Sequence, residues 1–266
     1  MRFHAVRLFL VVGLGAVMAG ASLAIDWTAW RPATCLPDAC FCEAIGSGTI
    51  LQPSNTWSNL AFVIVGAVIA VSATPDRPLR RSYALILAFA CVGIGLGSWF
   101  YHASLTFVGQ WLDVMSMYLL GTFMVLHAAI GILSGAQRSR RMPKDSRAFT
   151  VSYIVINLAL GVLLIVWPEA RRYLFGALIV SALILEAILH RRKQTTLQAK
   201  WLIAALGVYV VAQIIWTLDL NHIVCDPTSV LQGHAVWHVL TALSAGLVYG
   251  YYQSGHEGGH RLEVDG

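Results

Sequence analysis

Along this chain the apolar positions neither alternate nor form narrow helical stripes; they run on through whole segments. Such stretches lie near residues 5–24, 55–74, 82–103, 110–134, 148–167, 172–190, 200–218 and 234–252. Each is close to the roughly 20 residues that a helix needs to cross a hydrocarbon core. The pattern predicts eight transmembrane helices and an all-α integral membrane fold.

The polar gaps divide the chain further. The longest, 25–54, holds Trp27, Trp30, Pro32, Pro37, Pro53 and three cysteines, and reads as an ordered outer loop or short interfacial helix with tryptophans at head-group depth. The other connections are short, and no linker or internal repeat stands out. One bundle is expected: an N-terminal helix or uncleaved signal anchor at 1–24, the outer loop at 25–54, a core at 55–252 and a tail at 253–266. The start, with Arg2, Arg7 and the small residues Ala19, Gly20 and Ala21, also fits a signal peptide, but its apolar run is long for that role.

Charge supplies the orientation. Lys and Arg collect in cytoplasmic loops, and all 18 basic residues except Arg31, Arg171 and Arg172 fall in alternate segments that include both ends. Both termini are therefore expected in the cytoplasm, and the basic bias suits a bacterial inner membrane. Composition agrees: 58% of residues are hydrophobic and 12% charged, against about 25% charged in soluble domains, and the mean hydropathy is +0.69. A net charge of +5 is spread over loop ends, which points to anchoring at a membrane surface and not to nucleic acid. Cys35, Cys40, Cys42 and Cys225 fall on the outer side and Cys91 within a span. Four cysteines allow three pairings, with free or metal-binding thiols as the alternative; Cys42 with Cys225 is favoured because it ties the first outer loop to the last.

Ionisable groups inside spans are costly and mark functional sites. Ser98 and His102 stand at i and i+4 near the outer end of the third span, hence on one helical face. His234 and His238 do the same at the start of the eighth. Asp113 opens the fourth span at a matching depth. Three histidines from two helices can supply the neutral imidazole ligands of a catalytic tetrahedral zinc, with one position left for water. Each piece has a plainer reading. An isolated H-x-x-x-H is weak, a helical Ser can bond back to its own helix, and Gly93, Gly95 and Gly97 serve close helix packing. Matched depth is what joins them. Asp219, beside Asn221 at the outer end of the seventh span, is expected to support the metal from behind. His127 reads as a bundle hydrogen-bonding group, His190 and His222 as interfacial, and Glu186 as a partner for the inner basic cluster.

This arrangement resembles the alkaline ceramidase family, within a superfamily that also includes adiponectin-type receptors. Q-P-S-N-T-W-S-N at 52–59 is similar to the family's E-F-W-N-T-x-S-N, and G-S-W-F-Y-H-A-S-L at 97–105 to its G-S-x-x-F-H-x-T-L. Leu112-Asp113 matches its L-D-E, the run from Trp216 to Cys225 its W-x-x-D-x-x-x-C, and H-A-V-W-H-V-L-T-A-L at 234–243 its H-A-x-W-H-x-L-T-G. The resemblance implies a seven-helix core plus the extra first helix, zinc on His102, His234 and His238, and Ser98 and Asp113 holding the attacking water. It implies a membrane-dissolved N-acyl lipid as substrate, ceramide giving a sphingoid base and a fatty acid. Family members with a calcium site carry acidic residues before the first core helix; here only Glu43 remains, while Cys40, Phe41, Ile45 and Gln52 replace the others. Calcium is accordingly not expected, with Asp38 the one acid nearby that could compensate. Two other classes fit the same histidines: a receptor-like relative with structural zinc, and a metal or haem protein without hydrolysis.

Overall fold

The computed structural model describes residues 26–36, 40–74, 79–133 and 146–255, together with Gly13 and Gly20. The expected first span, the terminal tail beyond residue 255 and Asp38 lie outside the described residues. Pro53 opens α1 (Pro53–Ser58), where a missing N–H costs no helical bond. Asn59 interrupts the ladder, its side chain donating to the Asn55 carbonyl at 2.8 Å, before α2 (Leu60–Ser72) continues. Then come α3 (Arg81–Ser104), α4 (Phe107–Leu133) and α5 (Ser146–Val166). After a 3₁₀ turn at Pro168–Ala170 follow α6 (Arg171–Arg191), α7 (Ala199–Leu220) and α8 (Gly233–Gln253).

Among the described residues, six helices are long and apolar enough to cross a membrane, with α1 and α2 counted together. The seventh long helix, α8, spans 21 residues, carries His234 and His238 in its first turns and is not among those six.

The helices form an incomplete ring. Going round it, α6 packs on α4, α4 on α3, α3 on α2, α2 on α8 and α8 on α7, while α5 lies outside against α4. Among the described residues no comparable packing joins α7 to α6, so the ring is open there. On the closed side, helices approach backbone to backbone because glycines omit the Cβ that would block them. A Cβ on Gly66 would stand 2.9 Å from the Ala88 carbonyl oxygen, one on Gly95 3.0 Å from that of Asn59, and one on Gly97 2.8 Å from that of Leu112.

At the far end from the histidines, Ile69, Leu87, Phe123, Phe149, Tyr251 and Tyr252 form the main core. α3 ends at Leu105, whose left-handed backbone (φ 46°) turns the chain straight into α4. The 26–36 segment lies over this corner, Ala33 N–H donating to the Leu105 carbonyl and Phe107 N–H to that of Arg31.

Candidate metal centre

Three helices converge below that corner. α3 brings Ser98 and His102, α4 brings Asp113, and α8 brings His234 and His238. The three histidines are buried, with ring centroids 4.8 Å (102–234), 5.1 Å (102–238) and 4.5 Å (234–238) apart. One ligand nitrogen from each lies within 4.8 Å of the others, so the group can hold a metal ion. Ser98 Oγ stands 3.2 Å from His238 Nε2, and the same hydroxyl interacts with the Asp113 carboxylate. The close approach of Gly97 to the Leu112 and Asp113 backbone is what puts these two helices in register.

Hydrogen bonds set the tautomers of two of the rings. Gln52 Nε2 donates to the Glu43 carbonyl at 3.0 Å, which turns its oxygen toward His102 Nδ1 at 2.9 Å; that nitrogen must carry the proton. The Ser58 hydroxyl donates to the Asn55 carbonyl at 2.9 Å, so it accepts from His238 Nδ1 at 2.8 Å. Both rings thus present an unprotonated Nε2 to the centre, the form that ligates a cation, with the other nitrogen anchored. His234 is held differently. Its ring is stacked between Phe41 (3.8 Å, 29°) and Trp237 (5.1 Å, 19°), its Nδ1 has no hydrogen-bond partner among the described residues, and its Nε2 lies 3.1 Å from His102 Nε2.

Asp219, at the end of α7, acts on backbone: it accepts from His234 N–H at 3.0 Å and from Cys42 N–H at 3.2 Å. The first contact caps α8, whose Gln232 offers no side-chain cap. Both Glu43 oxygens are likewise committed to amides opening α1, Ser54 at 2.7 Å and Asn55 at 2.9 Å, where the helix dipole favours a carboxylate. Disulfides join Cys42 to Cys225 and Cys35 to Cys40. The first links the loop bearing Phe41 to the loop leading into α8. In that second loop Asp226 accepts from the Thr228 hydroxyl and N–H at 2.9 and 3.0 Å, which holds its carboxyl below the ordinary value.

A cavity of about 280 Å³ reaches Asp113 and His234 from the open side of the ring, between Arg171, Arg172 and Phe175 of α6 and Tyr209, Gln213 and Trp216 of α7. Met117, Phe175, Tyr209 and Trp237 also line a smaller, almost wholly apolar chamber that continues inward past Met124, Leu202 and Val248.

The remaining ionisable groups stand apart from the triad. His127 sits among the rings of Tyr83, Phe123 and Tyr252. Glu186, expected beside the inner basic cluster, is buried and accepts from the Tyr251 hydroxyl at 2.7 Å. His190, expected at interfacial water, has its Nε2 3.0 Å from the same hydroxyl. Sequence reasoning gave Gln52 and Ser58 no role at the histidines. The only local sign is their place in the Q-P-S-N-T-W-S-N segment, since the contacts they make reach 50 and 180 residues along the chain.

A bundle of membrane-type helices whose one end gathers three buried imidazoles, a carboxylate and a serine, with a cavity that reaches the carboxylate and one of the imidazoles, defines a helical membrane protein with a potential metal centre. The chain belongs to the ceramidase family, whose model matches residues 39–257. It is 24% identical over 238 residues to the alkaline ceramidase YPC1 of Saccharomyces cerevisiae, covering 80% of this chain and 74% of that protein. It is similarly 25% identical over 232 residues to alkaline ceramidase 3 of Mus musculus, covering 81% and 82%. With the alkaline ceramidase of Drosophila melanogaster it shares 23% identity over 240 residues, covering 87% and 82%.

Proposed function

We propose that this protein is a zinc-dependent intramembrane hydrolase of lipid amide bonds that cuts ceramide into a sphingoid base and a fatty acid. The observation that carries the reading is the convergence of two imidazole lone pairs and a third buried ring beside Ser98 and Asp113, at the foot of a cavity with an apolar extension. Names of the relatives support the substrate; the donor set supports the metal. Tetrahedral zinc with nitrogen ligands at about 2.0–2.1 Å needs nitrogens roughly 3.4 Å apart, and the 3.1 Å between His102 and His234 is close to that. Neutral nitrogen donors in a buried site favour zinc over calcium, which takes oxygen ligands, and Glu43 is engaged in capping α1.

In this reading His102, His234 and His238 hold the ion, which when bound acts as a Lewis acid toward water and the amide carbonyl. Asp113 takes the proton of the attacking water and returns it to the leaving amine. Ser98 has one proton and two neighbouring acceptors; once the His238 lone pair is taken up, that proton serves Asp113 or the substrate oxygen. Gln52 and Ser58 keep the imidazoles in their ligating tautomers, and Asp219 fixes where α8 begins. The acyl chain occupies the inner chamber, entering between α6 and α7. The helices from α1–α2 to α8 form a seven-helix core over 55–252, preceded by the outer loop. Both ends face the cytoplasm of a bacterial cell, and the site faces the opposite side of its inner membrane.

The test is mass spectrometry of products from purified protein given ceramides and other N-acyl lipids. Fatty acid and sphingoid base should appear in equal amounts, and Asp113→Asn should retain bound zinc while losing product release. Full turnover in Asp113→Asn would remove Asp113 from the reaction, and no product from any lipid would favour a receptor-like role.

A further inference from the structure

Basic residues that orient a membrane protein collect on its cytoplasmic side, yet Arg171 and Arg172 belong with Arg31 to the sparse opposite set. Both line the cavity. Among the described residues neither is in an ion pair. Arg171 gives one N–H to the Pro168 carbonyl at 3.0 Å, and Arg172 lies over the Trp216 ring at 5.0 Å. A guanidinium offers five donors in a fork that matches an oxyanion. Among the described residues these contacts leave most of the ten without an acceptor. α6 begins at Arg171 with no side-chain cap and no acid in its first turn, so its dipole adds positive potential at the same spot. Against this the cavity lining holds one carboxylate, Asp113. The Arg172–Trp216 stack also sets one guanidinium across the opening between α6 and α7, at the end of the cavity away from the apolar chamber.

We infer that Arg171 and Arg172 form an oxyanion subsite of this cavity that takes the anionic group of a lipid. That group is the carboxylate of the fatty acid released by hydrolysis or an anionic head group on the N-acyl lipid. The inference rests on the hydrolase reading for the ligand's identity and on the excess of two guanidinium groups over one carboxylate in the cavity lining for its chemistry.

The experiment measures dodecanoate and dodecanol binding to the full chain in uncharged detergent, by displacement of a fluorescent fatty acid. Turnover of ceramide and ceramide 1-phosphate is followed in parallel. Arg171→Gln with Arg172→Gln should weaken dodecanoate binding by at least about tenfold and leave dodecanol unaffected. The double Lys variant should recover part of the loss, which separates lost charge from lost folding, and Arg31→Gln should change nothing. If the subsite serves the product, inhibition by dodecanoate weakens in the double Gln variant while the ratio of the two substrates stays constant. If it serves a head group, the preference for ceramide 1-phosphate falls by a similar factor. Dodecanoate binding within about twofold of wild type together with an unchanged substrate ratio overturns the subsite. Arginine-dependent dodecanoate binding without fatty-acid release from any lipid keeps the subsite and removes the hydrolase reading.

Discussion

The two sides of the ring are built by different rules. On the closed side, α2, α3 and α4 meet through glycines at backbone contact, and 78% of the most apolar part of α3 is buried. On the open side, α6 and α7 are buried over 17% and 11% of theirs, and they share a cavity and one Arg–Trp stack instead of a packed seam. The closed side carries Ser98, His102 and Asp113, groups that need fixed geometry; the open side carries the cavity. Tight packing and an open cavity are thus separated round one bundle, and α8 joins the two sides, packed on α2 and α7 and fixed at its start by Asp219.

The sharpest way to break this contrast is to remove chemistry from the closed side without touching its packing. Asp113→Asn is expected to lower fatty-acid release by about 10²–10⁴-fold at unchanged zinc content. Next in size is the outer link: replacing Cys42 and Cys225 together by Ser should cost about 2–5 kcal/mol, read as a lower Tm in detergent. Gln52→Leu leaves His102 Nδ1 without its acceptor and should weaken zinc binding about 10–100-fold, measured by chelator competition. The smallest effects make the most direct comparison of the two sides. Gly97→Ala forces a methyl into the Leu112 backbone and should destabilise by about 1–3 kcal/mol. Gly207→Ala on α7, where a Cβ meets nothing within 4 Å, should raise stability by about 0.5–1 kcal/mol through helix propensity. Equal responses at the two glycines would erase the distinction.

The sequence was most readable where lipid imposes a rule. From 55–74 onward the apolar runs match described helices to within a few residues, because a hydrocarbon core fixes segment length. The histidines were legible too, since i, i+4 spacing and span direction together fix face and depth. What surrounds them was not. The Phe41 stack on His234, the Gln52 and Ser58 bonds and the Asp219 cap on α8 all join segments distant in sequence, and no local period marks such contacts. The Asn59 break between α1 and α2 was hidden inside an apolar run, and the gap between α6 and α7 is a fact of packing, invisible to hydropathy. Parity allowed two outer disulfides, but only proximity shows that Cys35 bonds Cys40.

The central claim is that one ion is shared by three rings on two helices. It is tested most directly by counting bound zinc per chain in purified wild type, in His102→Ala, His234→Ala and His238→Ala, and in His127→Ala as a buried histidine outside the cluster. One zinc in wild type and His127→Ala with almost none in the other three is the predicted result. The same zinc content in all five proteins would contradict it.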